Sequence, residues 1–69
     1  MPFDRISNSQ IKWWLAEYCH SQRDRALLYR RWVDGIRFEP LAEEFDLSVR
    51  QTKTITYREQ KKLLDFYGV

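Results

Sequence analysis

Apolar residues recur at helical spacing in the first third of the chain. They stand at positions i, i+3, i+4, i+7 and i+8 of one helix face: Ile11, Trp14, Leu15, Tyr18 and Cys19. The preceding segment Ser7-Asn8-Ser9-Gln10 has the S-x-x-Q form of a capping box, which closes a helix N-terminus. The pattern therefore predicts a helix over about residues 8–19 with this face in the core. Trp13 lies off the face, either at the edge of the core or exposed as an anchor for a partner.

A second amphipathic segment follows at about residues 22–34. Ser21 and Asp24 give an N-terminal signal, and Gly35 supplies the C-terminal stop. The apolar face of this segment predicts further core residues, namely Leu27, Leu28, Trp32 and Val33. Arginines border this face, and some of them are expected to pair with the acidic residues Glu17, Asp24 and Asp34; they are Arg23, Arg25, Arg30 and Arg31. Of these arginines, Arg31 is expected to hold the acidic helix that comes next.

The stretch from Phe38 to Tyr57 predicts two helices joined by a tight turn. In the first, over about residues 38–45, the inward residues fall at i, i+1 and i+4: Leu41, Ala42 and Phe45. The small Ala42 allows two steeply crossing helices to touch. Asp46 stands where the chain must turn, because a short polar side chain tolerates the left-handed conformation, and Leu47 follows as an apolar plug. Ser48 opens a second S-x-x-Q capping box, so a final helix is predicted over about residues 49–66.

The final helix has an inward and an outward side. The inward residues are Val49, Thr52, Ile55, Leu63 and Phe66. The outward residues all carry a polar group, and half of them are basic: Arg50, Gln51, Lys53, Thr54, Tyr57 and Arg58. Two short helices in this order, the second of them basic, form a helix-turn-helix pattern of the kind that a DNA major groove accepts.

Composition favours one small all-α domain of four helices that spans residues 1–69. Hydrophobic residues make up 43% of the chain, enough for a folded core, and only two Gly and two Pro occur. In the segment before the first helix, Phe3 or Ile6 is expected to touch the body. No apolar run approaches the roughly 18 residues of a membrane span, and no signal-peptide pattern opens the chain. The single cysteine fits a reducing compartment, so a cytoplasmic location is expected.

Charge changes sign across the predicted turn. The segment 48–69 carries five basic and two acidic residues, a net charge of +3, whereas 36–47 carries one basic and four acidic residues, a net charge of −3. Taken alone, such an asymmetry also fits two solvated helix faces. Together with the helix-turn-helix pattern, it places the positive charge on the helix that would meet DNA.

Residue patterns for catalysis or metal binding are missing from the sequence. Cys19 and His20 are adjacent, but neighbouring helix positions point about 100° apart and do not converge. No second His or Cys stands at ligand spacing, and no Gly-rich phosphate loop occurs. The sequence therefore predicts neither an enzyme nor a metal or cofactor site, and Cys19 is expected to be a small buried apolar group.

The region from Arg23 to Phe66 resembles region four of bacterial sigma factors of the housekeeping class. The resemblance lies in RDRALLYRRWVDG, IRFEPLAEEFDLS and VRQTKTITYREQKKL. Within these segments, the matching features are an acidic-Gly helix end, an aromatic-Glu-x-apolar-Ala segment and a Leu-Ser turn: Asp34-Gly35, Phe38-Glu39-Pro40-Leu41-Ala42 and Leu47-Ser48. The chain departs from the family at Asp46, usually Gly, at Thr52, usually Val or Ile, and at Arg37, often Thr.

The resemblance implies a four-helix domain that reads promoter DNA through the major groove and touches RNA polymerase. Because 69 residues leave no room for the domain that melts a promoter, we expect a stand-alone regulator or a phage- or mobile-element-type protein. The DNA-binding domain of LuxR-type regulators has a similar pattern and is an alternative. The runner-up function is a protein-interaction module with RNA polymerase or another regulator as its partner, using the same fold without reading DNA.

The predicted DNA contacts fall into two groups. Side chains expected to face bases are Arg50, Gln51, Lys53, Thr54 and Tyr57. Those expected along the sugar-phosphate backbone are Arg37, Ser48, Arg58, Lys61 and Lys62. A homodimer is a further expectation, because one small reading head covers few base pairs. Trp13, Trp14 or the pair Phe66-Tyr67 would supply its contact.

Overall fold

The structure, a computed structural model, describes residues 5–68. This range contains four helices and no strand: α1 Asn8–Tyr18, α2 Gln22–Trp32, α3 Phe38–Glu44 and α4 Val49–Tyr67. The predicted all-α architecture is confirmed, with helix ends that differ from the expected ones by two residues at most. Phe3 lies outside the described residues, whereas Ile6 is buried against the core as expected.

Serine side chains begin three of the helices. At α1, the Ser7 hydroxyl accepts a hydrogen bond from the Gln10 backbone N–H, and the Gln10 side chain accepts one from the Ser7 N–H. Ser48 and Gln51 make the same reciprocal pair at α4, with both distances 3.0 Å. Ser21 caps α2 through the Asp24 N–H. Both capping boxes are therefore formed as predicted, and each cap stabilises its helix by about 1 kcal/mol.

One hydrophobic core joins the four helices. Its buried residues include most of those predicted from periodicity, among them Ile11, Trp14, Leu15, Leu27, Leu28, Trp32, Leu41, Ile55 and Leu63. Cys19 also lies in the core, and burial, followed by the negative charge of Glu59, raises the pKa of its thiol. The expected role of Cys19 as a small apolar group is consistent with this burial.

Two predicted core residues, Tyr18 and Phe66, are half exposed. Their exposed fractions are 49% and 46%, although both fall on the apolar stripes of their helices. Each ring packs against the other at a centroid distance of 5.0 Å, and no helix within residues 5–68 covers their outer side. The prediction that these two residues are buried was therefore wrong. Helical spacing shows which face of a helix a residue lies on, but not whether a neighbouring helix covers that part of the face.

The turn between α3 and α4 has the conformation that the sequence predicted. Asp46 adopts a left-handed backbone with φ of 55°, and the Leu47 N–H donates to the Ala42 carbonyl at 2.9 Å. Ala42 is buried where α3 meets α4. Thr52 is fully buried, and its hydroxyl donates to the Ser48 carbonyl, which satisfies the polar group inside the core. A threonine is therefore accommodated at this inward position.

Two arginines connect α2 to α3, and the one that pairs with an acidic residue of α3 is Arg30. Arg30 donates to the carboxylates of Glu44 and Asp34, with N–O distances of 3.0 and 3.1 Å, and these hydrogen bonds raise its pKa. Arg31 instead donates to the Ile36 carbonyl at 2.9 Å and lies over the ring of Phe38. Arg31 therefore contacts α3 as expected, but through the Phe38 ring and not through an acidic side chain, because one residue along a helix turns the side chain by about 100°.

Candidate nucleic-acid interface

The first half of α4 presents its outward residues to solvent. All five predicted base-facing residues are exposed, and we call them the α4 outer face: Arg50, Gln51, Lys53, Thr54 and Tyr57. Arg50, Thr54 and Tyr57 follow one another at i, i+4 and i+7, so they form a single stripe along the helix. Lys61 continues this stripe by one further turn and is also exposed. The fold therefore brings these side chains onto one accessible surface.

Local hydrogen bonds limit what Gln51 and Thr54 can offer to a ligand. The Gln51 side-chain oxygen accepts from the Ser48 N–H, which leaves the second lone pair of that oxygen and the amide N–H₂ group for another contact. The Thr54 hydroxyl donates to the Arg50 carbonyl at 2.9 Å, which leaves the hydroxyl oxygen as an acceptor. The paired contact of Gln with adenine uses both its oxygen and its nitrogen, so in Gln51 the oxygen would be shared with the Ser48 N–H.

Phe38 at the start of α3 supports one side of the α4 outer face. Its ring contacts the ring of Tyr57 at a centroid distance of 5.9 Å, and the Lys53 ammonium lies 5.6 Å from its centre. The guanidinium of Arg31, which belongs to α2, lies 4.0 Å from the centre of the same ring. These cation–π and edge contacts hold Lys53 and Tyr57 in place. The sequence pattern indicated Phe38 as the start of a helix and as the aromatic residue of the segment that resembles sigma factors, but not these contacts with α2 and α4.

A shallow groove borders the opposite side of the α4 outer face. It has a volume of about 290 Å³ and is lined by residues of α2, the turn and α4: Arg23, Leu47, Arg50, Gln51, Thr54 and Ile55. Some arginines of α2 were expected to pair with acidic residues, and Arg23 does so with Asp24 at 3.1 Å. The groove brings Arg23 near Arg50, so the positive surface extends from α4 onto the start of α2.

Arg58 lies at the centre of an ion-pair network instead of pointing freely outward. It bridges Asp24 of α2 at 3.2 Å and Glu59 of α4 at 3.1 Å, while Lys62 also pairs with Glu59 at 3.2 Å. Both carboxylates are nearly buried, with exposed fractions of 7% and 6%. Asp24 was among the residues expected to pair with an arginine of α2, but its pairing with Arg58, and that of Glu59, were not predicted. Glu59 stands four residues after Ile55 and four before Leu63, and an acidic residue within such an apolar stripe is the signal that could have indicated it.

The other predicted backbone contacts occupy different positions. Arg37 is exposed at the N-cap of α3, and its side chain does not cap the helix. Ser48 is engaged in the α4 capping box. Lys61 and Lys62 are exposed along the second half of α4. Ser48 precedes the α4 outer face and the two lysines follow it along α4, whereas Arg37 belongs to the start of α3.

Residues 5–68 contain neither a cluster of metal ligands nor a helix that could span a membrane. No three or more His, Cys, Asp or Glu side chains come together in this range in a way that could hold a metal ion. None of the helices in it combines the length and the apolar character required to span a lipid bilayer.

Comparison of the chain with protein-family models, with curated proteins and with solved structures finds no match.

Proposed function

We propose that this protein binds double-stranded DNA and regulates transcription, with α4 lying in the major groove. The observation that carries the proposal is the α4 outer face, where Arg50 and Lys53 are exposed on a capped helix directly after a left-handed turn. A helix of this diameter fits the major groove, and its N-terminal turns are the part that meets base edges in helix-turn-helix proteins. The likeness to sigma factor region four supports the same orientation.

In this proposal, one group of side chains contacts the bases and another contacts the sugar-phosphate backbone. Arg50 donates in pairs to the O6 and N7 atoms of guanine, since a guanidinium carries two parallel N–H groups. Lys53, Thr54 and Tyr57 contact neighbouring bases, and Gln51 donates through its amide N–H₂ group. Arg37, Ser48, Lys61 and Lys62 contact the sugar-phosphate backbone, which adds affinity without reading sequence. Arg58 contributes positive charge from within its ion-pair network.

The proposal also includes a cytoplasmic location and action at RNA polymerase. The lone buried cysteine fits a reducing cytoplasm. A DNA-binding domain of this kind would regulate transcription beside RNA polymerase. Contact with the polymerase itself is implied by the likeness to sigma factors.

A protein-interaction module is the second candidate function. The outer side of α3 favours it, because Glu39 and Glu43 are exposed while the third glutamate of the helix, Glu44, is paired with Arg30. This surface carries the opposite charge to the α4 outer face. A basic partner, such as a polymerase segment or another regulator, would dock on it.

Titration with mixed-sequence duplexes at low salt separates the two candidates. We expect binding at roughly tens of micromolar protein, because neutralisation of phosphates supplies affinity without an operator sequence. Selection from a random duplex pool should then enrich a preferred site. If no duplex binds at these concentrations, DNA binding is contradicted and the interaction module is favoured.

A further inference from the structure

Four aromatic side chains form a second surface where α1 meets the C-terminal end of α4. The aromatic patch consists of Trp13 and Tyr18 from α1, and Phe66 and Tyr67 from the last turn of α4. Trp13 lies 5.8 Å from Tyr18 and 6.0 Å from Phe66, measured between ring centroids. Phe66 lies 5.0 Å from Tyr18 and 4.9 Å from Tyr67. The rings therefore form one continuous cluster.

The aromatic patch is both exposed and ordered. Trp13, Tyr18 and Phe66 each leave nearly half of their surface accessible to solvent. Single exposed apolar residues are normal, but a contiguous group of them marks an interaction site. The Tyr67 hydroxyl donates to the Gln10 carbonyl at 3.1 Å, which fastens the end of α4 to α1. The rings are therefore already arranged before a partner binds, so the entropic cost of ordering the aromatic patch on binding is small.

The small area of the aromatic patch limits the affinity for a partner. A buried aromatic residue covers roughly 150–250 Å², so three half-exposed rings offer roughly 300 Å² of aromatic surface. A standard stable interface buries roughly 800 Å² on each partner. The patch can therefore form the centre of an interface, but neighbouring residues of α1 and α4 must complete it. The expected affinity is weak, with a Kd of roughly micromolar or higher.

Charges beside the patch favour a second copy of the same chain as the partner. Three exposed charged residues neighbour the rings on α1 and α4, namely Glu17, Lys62 and Asp65, whereas the Lys12 ammonium lies over the ring of Tyr29 on α2. Two of the three are acidic and one is basic, so the rim of the patch includes both signs. An aromatic centre with such a rim complements itself, as an interface between identical surfaces across a two-fold axis requires. The α4 outer face, with Arg50 and Lys53, would instead repel its own copy.

We propose that the protein forms a weak homodimer by packing the aromatic patches of two copies against each other. Phe66 lies 13 residues beyond Lys53 on α4, which corresponds to about 20 Å along the helix axis. The α4 outer face of each copy thus stays accessible in the dimer. The proposal does not depend on DNA binding, because it uses other residues at the other end of α4.

Sedimentation equilibrium from roughly micromolar to millimolar protein tests the dimer, since the expected Kd falls in that range. The unaltered protein should pass from the mass of one chain to that of two as its concentration rises. Trp13→Ser and Phe66→Ser should each raise the Kd at least tenfold. Tyr57→Ser is the matched control, because Tyr57 is equally exposed but lies on the α4 outer face, and its Kd should not change. A monomer at every concentration, or equal weakening by Tyr57→Ser, would overturn the proposal.

Tryptophan fluorescence gives a second test that does not require a serine variant to fold. Trp14 and Trp32 are already buried in one copy, whereas Trp13 is half exposed. Dimerisation should therefore shift the emission to the blue with rising concentration. Trp13→Phe keeps an aromatic ring in the patch, so it should still dimerise but without the shift. A dimer whose unaltered form shows no shift would place the interface elsewhere and reject the aromatic patch.

Discussion

Arg50 is the residue on which base recognition is expected to depend most. Replacing it with alanine removes the paired N–H donors, so Arg50→Ala should cost about 1–3 kcal/mol on the selected site and relax preference at one base position. Lys12→Ala is the control, because it removes one positive charge from α1, away from the α4 outer face. Fluorescence anisotropy with selected and mixed duplexes measures both effects. If selected and mixed duplexes bind Arg50→Ala as they bind the unaltered protein, Arg50 reads no base.

Arg58 is expected to matter more for stability than its partly exposed position suggests. Arg58→Ala deprives two nearly buried carboxylates, Asp24 and Glu59, of a partner at once. Because Arg58 itself is about half exposed to water, the expected loss in the free energy of unfolding is about 1–2 kcal/mol. Lys62→Ala removes a more exposed partner of Glu59 alone and should cost about 0–1 kcal/mol.

A second substitution at Arg58 separates stability from DNA affinity. Arg58→Lys keeps the positive charge, but a single ammonium replaces the guanidinium fork that reaches both carboxylates. Urea unfolding should therefore register a loss of stability, while affinity for mixed duplexes should stay close to that of the unaltered protein. Equal stability of Arg58→Ala and Lys62→Ala would contradict the structural role of this network.

The exposure of individual α4 side chains followed from the sequence, but their partners did not. Helical spacing places Arg50 and Lys53 outward because the angle between positions is fixed by the helix itself. Pairing of Arg58 with Asp24 joins residues 34 positions apart in the chain, so it depends on how α2 crosses α4. The contact of Phe38 with Lys53 and Tyr57 has the same origin in the packing of two helices.

At the scale of an element, the turn at Asp46 positions α4 against α3. Its left-handed backbone disfavours a β-branched side chain, so Asp46→Val should lower the free energy of unfolding by about 1–2 kcal/mol. Asp46→Gly is the matched variant, since glycine adopts this conformation without that penalty and should be at least as stable as the unaltered protein. Urea unfolding measures both values. Asp46→Val as stable as Asp46→Gly would show that the turn does not require this conformation.

Local signals explain why the helix N-termini were predicted well. A capping box needs only residues three positions apart, so Ser7-Gln10 and Ser48-Gln51 were recognisable before any packing was known. Tertiary pairing between helices was harder to predict. Arg30 and Arg31 have the same chemistry, and the choice of Arg30 to hold Glu44 is set by the rotation of α2 against α3.

At the scale of the molecule, the four-helix architecture followed from periodicity, whereas the aromatic patch did not. Tyr18 and Phe66 continue the apolar stripes of α1 and α4, and the sequence therefore placed them in the core. In the fold they cover each other only in part and join the exposed Trp13. The surplus of aromatic surface at this end, beyond what one chain buries, is the feature that a second copy would use.

Nuclear magnetic resonance titration with a selected duplex tests most directly whether the α4 outer face contacts DNA. The measured quantity is the chemical shift of each backbone amide. We expect the largest shift changes in residues 50–57, with smaller changes at Lys61 and Lys62. Amides of the aromatic patch, around Trp13 and Phe66, should move little at a fixed protein concentration. Largest changes around Glu39 and Glu43 of α3, or at the aromatic patch, would contradict the proposed orientation of α4 in the major groove.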